Sequence, residues 1–223
     1  MSETLPLFPL STVLFPEGPL KLRIFEPRYL DMIGRCLRED SAFGIALIVE
    51  GREAGGPART TEIGTSARVV DFEQLDDGLL GITARGERRF RILSVRRQSD
   101  GLHLARVEWL PTEQPSAVPP RLQILAELMR QAYDQVAAHL AAQAGARTGP
   151  ASRGGAQPRQ DAMSGEGPLY GGVPPRFDDA GWIGMRLAEI LPLAAPERQR
   201  CLEMLDPIER LTFLRERLDI RQQ

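Results

Sequence analysis

The clearest potential for binding chemistry lies in six arginines on one predicted strand and its approaches: Arg85, Arg88, Arg89, Arg91, Arg96 and Arg97. Alternate side chains of a strand share a face, so Arg89 and Arg91 should project together, away from Phe90. Guanidinium groups pair with carboxylates and phosphates, which makes Arg89 and Arg91 candidate anion-binding residues. The simpler interpretation is a solvated face whose charges meet nearby acidic residues and discourage edge pairing.

Two pairs of adjacent carboxylates could take part in acid–base chemistry. They are Asp76-Asp77, just before Gly78, and Asp178-Asp179, just before an apolar helical pattern. Aspartates are favoured in tight turns and at helix N-termini, where they bind backbone N–H groups. The sequence therefore predicts structural roles for both pairs.

Hydrolytic, nucleotide-dependent and metal-dependent chemistry each lack their usual residues. No G-x-x-x-x-G-K-[ST] loop is present to hold phosphates. Lys21 is the only lysine, and no serine lies near it in a recognisable dyad. His103 and His139 lie far apart in the sequence, and neither has a second ligand at metal-binding spacing. We therefore predict no catalytic residues, no metal site and no cofactor.

Large apolar side chains are a second candidate for function. The set is Phe8, Leu14, Phe15, Phe25, Tyr29 and Trp109, which is more than a small barrel needs in its interior. We take Phe15, Phe25 and Tyr29, together with Trp182 at a later helix start, as candidate peptide-binding residues. For any one of them, a place in the core is the simpler interpretation.

Composition predicts a soluble globular protein. The chain has 223 residues, 42% of them hydrophobic and 26% charged, with a net charge of −2. That charge gives no general attraction to nucleic acid or to an anionic membrane. No apolar run is long enough to span a bilayer, and the N-terminus lacks a basic signal region, so a cytoplasmic location is expected. Cys36 and Cys201 should be buried free thiols.

The first half of the chain carries a strand pattern. Prolines divide the run from Leu5 to Ile33 into short extended segments, with a turn at Glu17-Gly18. Pro27 can begin a helix of about three turns, on which Tyr29, Leu30, Ile33 and Leu37 recur. The run from Phe43 to Val49 predicts a strand covered on both faces.

Two further hairpins are predicted from turn residues. Asp76-Asp77-Gly78 separates a strand beginning at Arg68 from another at Leu79, and Ser99-Asp100-Gly101 separates Arg89–Val95 from Leu102–Leu110. About six or seven short strands with one helix indicate an α+β fold with a small, partly closed barrel over residues 1–115.

The second half, residues 116–223, has a helical pattern. Leu122, Leu125, Met129, Ala132, Val136 and Leu140 predict an amphipathic helix of about twenty residues. Residues 145–181 are rich in Gly and Pro, which indicates a flexible loop: either a tolerated insertion, which we favour, or a lid. Asp178 or Asp179 should cap the next helix, with Arg186 and Glu189 as its polar stripe. Pro192 should end that helix, and Pro196 and Pro207 should start two more.

Several of these segments together resemble the Lon N-terminal domain family, the substrate-binding domain of Lon-type ATP-dependent proteases. They are residues 24–29 (IFEPRY), 63–67 (IGTSA), 86–92 (GERRFRI) and 182–193 (WIGMRLAEILPL), in the family's order. The resemblance covers most of the chain except residues 145–176. It implies a PUA-like barrel followed by a helical subdomain, as in stand-alone members.

The resemblance also implies a function without catalysis. In Lon proteases this domain recognises protein substrates, while other domains hydrolyse ATP and peptide bonds. We therefore expect a polypeptide-binding module whose partners are unfolded or exposed apolar segments, with an adaptor role beside a protease or chaperone. The alternative is a nucleic-acid-binding PUA-like module, which the arginine strand supports and the negative net charge opposes.

Overall fold

The computed structural model describes residues 2–53, 59–147 and 174–221. Strands dominate the first half and helices the second, as predicted. The strands are β1 (Ser2–Leu10), β2 (Pro19–Ile24), β3 (Phe43–Glu50), β4 (Arg59–Thr60), β5 (Ile63–Gln74), β6 (Leu80–Arg97) and β7 (His103–Trp109). The helices are α1 (Pro27–Glu39), α2 (Gln123–Arg147), α3 (Ala180–Ile190), α4 (Ala195–Glu203) and α5 (Pro207–Arg221), with a 3-10 turn at Pro120–Leu122.

Five of the strands form a closed ring. Their order is β1-β7-β6-β5-β3, and a parallel pairing of β1 with β3 completes the circuit. The predicted α+β class with a small barrel is therefore confirmed, but the ring is irregular because β2 and β4 are attached to β6 and β3 from outside it. Closure satisfies the backbone edges of β1 and β3 that an open sheet would leave exposed.

Strand β6 is the most extensively paired strand of the sheet and contacts β2, β5 and β7. The sequence predicted two strands here, and the structure has one continuous strand of 18 residues. Its first half lies between β2 and β5, and its second half lies between β5 and β7. The pairing of β5 with β6 shifts register twice: between Thr65 and Ala67 the extra residue lies in β6, and between Val69 and Asp71 it lies in β5, so each strand carries one bulge.

Both predicted hairpins are present. Gly78 and Gly101 have φ angles of 81° and 86° at their tips, a left-handed conformation that glycine adopts without strain. The predicted turn at Glu17-Gly18 also forms, with Gly18 N–H bonded to the Phe15 carbonyl at 3.1 Å. Glu17 itself has a φ of 65°, which is uncommon for a residue with a side chain.

Helix α1 begins at Pro27 as predicted, but only part of its predicted apolar pattern is buried. Met32 and Cys36 pack inward with Tyr29 and Ile33, whereas Leu30 and Leu37 are 39% and 42% exposed. The helical period allowed either stripe, and the position of α1 against the sheet selected one of them.

The helical part packs around α3, whose residues from Ala180 to Ala188 are all buried. Asp179 caps this helix through a hydrogen bond from the Gly181 N–H, so the cap prediction is confirmed for Asp179. Helix α2 is longer than predicted, and Val136 on it is exposed rather than buried. The middle of the predicted loop, 148–173, lies outside the described residues, and α3 begins before its predicted end.

The described apolar core falls into three clusters. One joins the helices and includes Phe15 from the strand half, one lies between α1 and the ring, and a small one surrounds Phe90. Both cysteines are buried free thiols, as predicted. Because Phe15 belongs to the helical cluster, the two halves share a core, and the boundary near residue 115 stays a prediction.

Candidate functional site

The principal candidate site is a groove of 340 Å³ where β1, β2 and the start of α1 meet. We call it the Phe25 groove. It is lined by Phe8, Leu10, Lys21, Leu22, Arg23, Ile24, Phe25, Glu26, Tyr29 and Glu53. The proline-divided sequence builds it, because Pro27 ends the extended run of β2 and turns the chain straight into α1.

The floor of the groove is aromatic. The rings of Phe8 and Tyr29 stack with their centroids 4.0 Å apart and an angle of 17° between their planes. Tyr29 is 4% exposed, and burial raises the pKa of its hydroxyl, with smaller opposing and reinforcing effects from Arg28 and Glu26. The Arg28 guanidinium lies 4.6 Å from the Tyr29 ring centre and is held by Glu26 at 2.7 Å.

Phe25 stands at the mouth of this groove with 57% of its surface exposed. Transfer of an exposed phenylalanine side chain from water to an apolar contact is worth about 2 kcal/mol. Leu30 on the next turn of α1 is also exposed. The site therefore presents apolar surface that folding leaves in water.

The backbone of β2 adds a second means of binding. Among the described residues, β2 pairs with β6 alone, and its other edge borders the groove. An unpaired strand edge offers N–H and C=O groups to an extended segment. Lys21, Arg23, Glu26 and Glu53 place both signs of charge around the groove, so its rim favours no single charge.

A second concavity lies between the ring and the helices. This ring–helix cleft has a volume of 190 Å³, and its lining includes Pro16, Glu17, Arg88, Trp182 and Met185. Trp182 is 4% exposed and packs edge-on against Phe177, with centroids 5.6 Å apart. Arg176 crosses to Glu17 at 2.7 Å on the cleft wall. Trp182 is therefore a packed wall of a narrow, charged cleft.

Of the four predicted peptide-binding residues, the structure brings two together. Phe25 and Tyr29 lie in the same groove, one exposed at its mouth and one in its floor. Phe15 is a correction: it is 0% exposed in the helical cluster, because the turn it begins is covered by α3, so it has no surface for a peptide. Trp182 lies in the separate cleft.

Arg89 is also a correction. It is 5% exposed, and its guanidinium binds Glu113 at 2.8 Å and the carbonyls of Leu202 and Met204 at 2.7 Å each. Burial lowers the pKa of Arg89, and the charge of Glu113 opposes that effect. Every described contact of this side chain is internal, so Arg89 is unsuited to bind an external anion. Arg91 is exposed and stays a candidate.

Sequence reasoning missed the network to which Arg89 belongs. Arg210 is 0% exposed and binds both oxygens of Glu113, at 3.0 and 2.5 Å, and its Nε donates to the Cys201 carbonyl at 2.8 Å. Arg186, predicted on a polar stripe, is 1% exposed, pairs with Glu189 at 3.0 Å and donates to the Pro16 carbonyl. The burial of these arginines was missed because it depends on Glu113 and Pro16, which are distant from them in sequence.

The remaining reactive groups are poorly placed for chemistry. Burial raises the pKa of Cys201 to about 11 and also raises that of Cys36, so both thiols stay protonated at neutral pH. Burial and the nearby Arg28 and Arg97 lower the pKa of His103. Across residues 2–53, 59–147 and 174–221, no group of three metal-ligating side chains comes together, and no helix is long and apolar enough to cross a membrane.

Solved structures share this fold. A Lon N-terminal domain protein from Xanthomonas campestris superposes with a TM-score of 0.69 and 31% sequence identity, covering 95% of this chain and 96% of that one. The N-terminal domain of the Mycobacterium avium complex Lon protease gives a TM-score of 0.58 at 15% identity over 95% of this chain and 96% of that one. The second likeness supports the fold alone.

Relatives that match in sequence are longer proteins. Cereblon of Danio rerio is 31% identical over 113 residues, which are 49% of this chain and 26% of cereblon. The LON peptidase N-terminal domain and RING finger protein of Schizosaccharomyces pombe is 34% identical over 110 residues, 44% of this chain and 22% of that protein. The chain thus aligns with only about a quarter of their length.

The family match covers nearly everything. Residues 4–219 match the family described as the ATP-dependent protease La (LON) substrate-binding domain. That span includes the Phe25 groove and, apart from the first two residues of β1 and the last two of α5, the whole ring and the five described helices. The chain therefore belongs to the Lon substrate-binding domain family.

Proposed function

We propose that this protein binds exposed apolar segments of other polypeptides in the Phe25 groove and carries out no catalysis itself. The observation that carries the proposal is Phe25, 57% exposed above a floor of stacked Phe8 and Tyr29 rings. An apolar side chain of a client would cover Phe25 and contact this floor. The gain is the water released from both apolar surfaces.

The edge of β2 supplies the rest of the interaction. A client in extended conformation would form main-chain hydrogen bonds with β2, while alternate side chains point into the groove. Main-chain bonding does not depend on the client's sequence, and the mixed charges of the rim do not select one sign. This combination suits a binder of many unfolded segments.

Membership of a substrate-binding family supports a role in recognition. The matching family contains the substrate-binding domain and not the catalytic domains. We infer that this chain recognises clients as an adaptor in protein quality control and passes them to a separate protease or chaperone. The sequence relatives, which carry the shared region as part of longer proteins, are consistent with such a division of labour.

RNA binding is the competing function, and the arginine strand is less favourable to it than the sequence implied. Arg89 is paired internally with Glu113, and the Arg88 guanidinium lies 4.8 Å from the centre of the Trp109 ring. Between these arginines and Arg85 lies an acidic residue, Glu87, which pairs with Arg68 of β5 at 2.8 Å. A salt series separates the two functions. Affinity that falls steeply between about 50 and 200 mM salt indicates phosphate contacts, whereas apolar binding changes little.

The direct test measures binding of reduced, carboxymethylated lactalbumin, a permanently unfolded probe, by fluorescence anisotropy. We expect Phe25→Ser to weaken binding about tenfold. The change removes roughly half or more of the free energy gained when a phenylalanine side chain passes from water to an apolar contact. Leu205→Ser is the matched control, because Leu205 is similarly exposed, at 55%, but lies between α4 and α5. It should bind like the unmodified protein.

Two results would overturn the proposal. One is equal affinity of the Phe25→Ser and Leu205→Ser proteins, which would place binding elsewhere. The other is failure of the unmodified protein to bind the probe at any salt concentration. Circular dichroism of each variant shows that a loss of binding is not a loss of folding.

A further inference from the structure

A second unpaired edge lies on the far side of the same strands. Among the described residues, positions 68–74 of β5 pair only with β6, because β3 contacts β5 earlier, at Thr65–Ala67. The local order is β2-β6-β5, so this edge and the Phe25 groove lie on opposite sides of a three-stranded sheet. The edge carries Phe72, which is 63% exposed, the highest value for a large apolar side chain in the described residues.

The register of the three strands shows what each face of this edge presents. Leu22, Ile82 and Phe72 form one cross-strand row, in which Ile82 is 3% exposed. Directly opposed residues of antiparallel strands point to the same face. Phe72 is therefore the uncovered end of an apolar row that belongs to the core.

The opposite face carries charge. Lys21, Thr83 and Asp71 form one cross-strand row, and Arg23, Gly81 and Glu73 form the next. In each row β2 supplies the basic residue and β5 the acidic one. Asp71, Glu73 and Asp76 form no ion pair within the described residues, whereas Asp77 is paired with Arg23.

We propose that the free edge of β5 binds an extended segment in which basic and apolar residues alternate. A strand added beside β5 would place one side chain next to Phe72 and its two neighbours next to Asp71 and Glu73 on the other face. The first must be apolar to continue the row, and the other two must be basic to meet the carboxylates. Strand β2, with Lys21-Leu22-Arg23, has this same pattern on the other side of β6.

A local contact provides a hydrogen-bond acceptor for one backbone N–H of this edge in the absence of a partner. The Phe72 N–H donates to the Asp71 carboxylate at 2.9 Å. A carbonyl of an added strand would replace that carboxylate as the acceptor. Asp71 would then be released to pair with a basic side chain, so binding exchanges one hydrogen bond for a hydrogen bond and an ion pair.

The same charges disfavour a second copy of the chain as the occupant. Pairing of two β5 edges would bring Asp71 and Glu73 of one molecule beside carboxylates of the other, and like charges across strands are destabilising. The edge of β2 has the alternating basic and apolar residues that the β5 edge requires. However, the β2 edge borders the Phe25 groove, which lies between β2 and the side chains of Phe8 and Leu10. A strand already built into another sheet has little room there.

The test uses the full chain labelled with nitrogen-15 and two capped peptides, SGKLRLKGS and SGELELEGS. We expect the basic peptide to shift the amide signals of residues 70–74, and the acidic peptide to leave them unchanged. The double change Asp71→Lys with Glu73→Lys should weaken binding of the basic peptide about tenfold in low salt. Glu108→Lys on β7, also exposed, is the control for adding a positive charge and should bind normally.

The outcomes separate this proposal from the function proposed above. Shifts confined to residues 20–29 would place the peptide in the Phe25 groove and overturn the β5 assignment. Equal binding of both peptides, or normal binding by the Asp71→Lys/Glu73→Lys protein, would also overturn it. Self-association of the protein alone, lost in that double variant during sedimentation, would make a second copy the occupant. Loss of binding by Phe25→Ser bears only on the groove.

Discussion

The two ends of this molecule place side chains in opposite ways. At the junction of ring and helices, the side chains of Arg89, Arg186 and Arg210 are buried, with 0% to 5% of their surface exposed. At the far end, around the Phe25 groove and the β5 edge, Phe25 and Phe72 are more than half exposed. Charge is inside at the junction, and apolar surface is outside at the far end.

The difference shows which surfaces serve the fold and which are free for partners. The junction arginines bind carbonyls and Glu113, so their charge holds three otherwise separate segments in one geometry. Phe25 and Phe72 are more than half exposed, so the fold does not depend on their contacts. Burying a charge is unfavourable unless it is paired, and an exposed apolar patch beside a groove or a free strand edge is a candidate contact surface.

The largest expected effect follows from removing the carboxylate of the junction. Glu113→Ala leaves Arg89 and Arg210 buried without their counter-charge, and breaking a buried pair in this way costs about 3 to 5 kcal/mol. We expect a fall of that size in the free energy of unfolding, measured by urea titration.

Glu108→Ala provides the comparison for this prediction, because Glu108 is exposed on β7 and should change the free energy of unfolding by less than about 0.5 kcal/mol. Similar values for the two variants would mean that the junction network is solvated and that the contrast between the two ends is false.

A smaller effect is expected from pH, again at the junction. The pKa of Cys201 is raised from 9.0 to about 11 in the folded state, so the unfolded chain loses this proton first as pH rises. Folded stability from this group is therefore complete below pH 9 and declines up to about pH 11, by about 2 to 3 kcal/mol.

The measurement is urea unfolding at intervals from pH 8 to 11. Cys201→Ala should show a shallower decline than the unmodified protein, since it removes one ionising thiol and keeps the other, Cys36. Identical slopes would show that the thiol reaches water in the folded state, against its 0% exposure.

The smallest effect is expected at the far end. Serine in place of Phe25 or Leu37 should change the free energy of unfolding by less than about 0.5 kcal/mol, because neither side chain is buried. Thermal unfolding followed by circular dichroism measures this. A loss above about 1 kcal/mol for Phe25→Ser would assign that residue to the core and remove the reason for calling its surroundings a binding groove.

Local sequence signals predicted the elements well where the signal lies within a few residues. Asp76-Asp77-Gly78 and Ser99-Asp100-Gly101 predicted both hairpins, and Pro27 and Asp179 predicted two helix starts. The prediction of two strands within residues 79–97 was wrong, because β6 continues through the polar stretch between them and pairs with β5 on both sides of it, with one bulge in each strand.

Burial was harder to predict than secondary structure. Phe15 and Phe25 are the same type of residue ten positions apart in one proline-divided run, yet one is 0% and the other 57% exposed. Only the packing of α3 over the turn at Phe15 separates them. The half of the site formed by Phe25 and Tyr29 was predicted because both flank Pro27, whereas the contributions of Phe8 and Leu10 from β1 depend on ring closure.

The sequence by itself determined the order of strands and helices, the turns, the buried cysteines and the family likeness, since each depends on nearest neighbours or on a run of residues in order. Tertiary structure alone decided which charges are buried and which apolar groups remain in water. The physical reason is distance along the chain: Glu113 pairs with both Arg89 of β6 and Arg210 of α5, and only the folded chain brings these three residues together. An arginine in a sequence reveals its charge, but its environment is set by partners that folding brings to it.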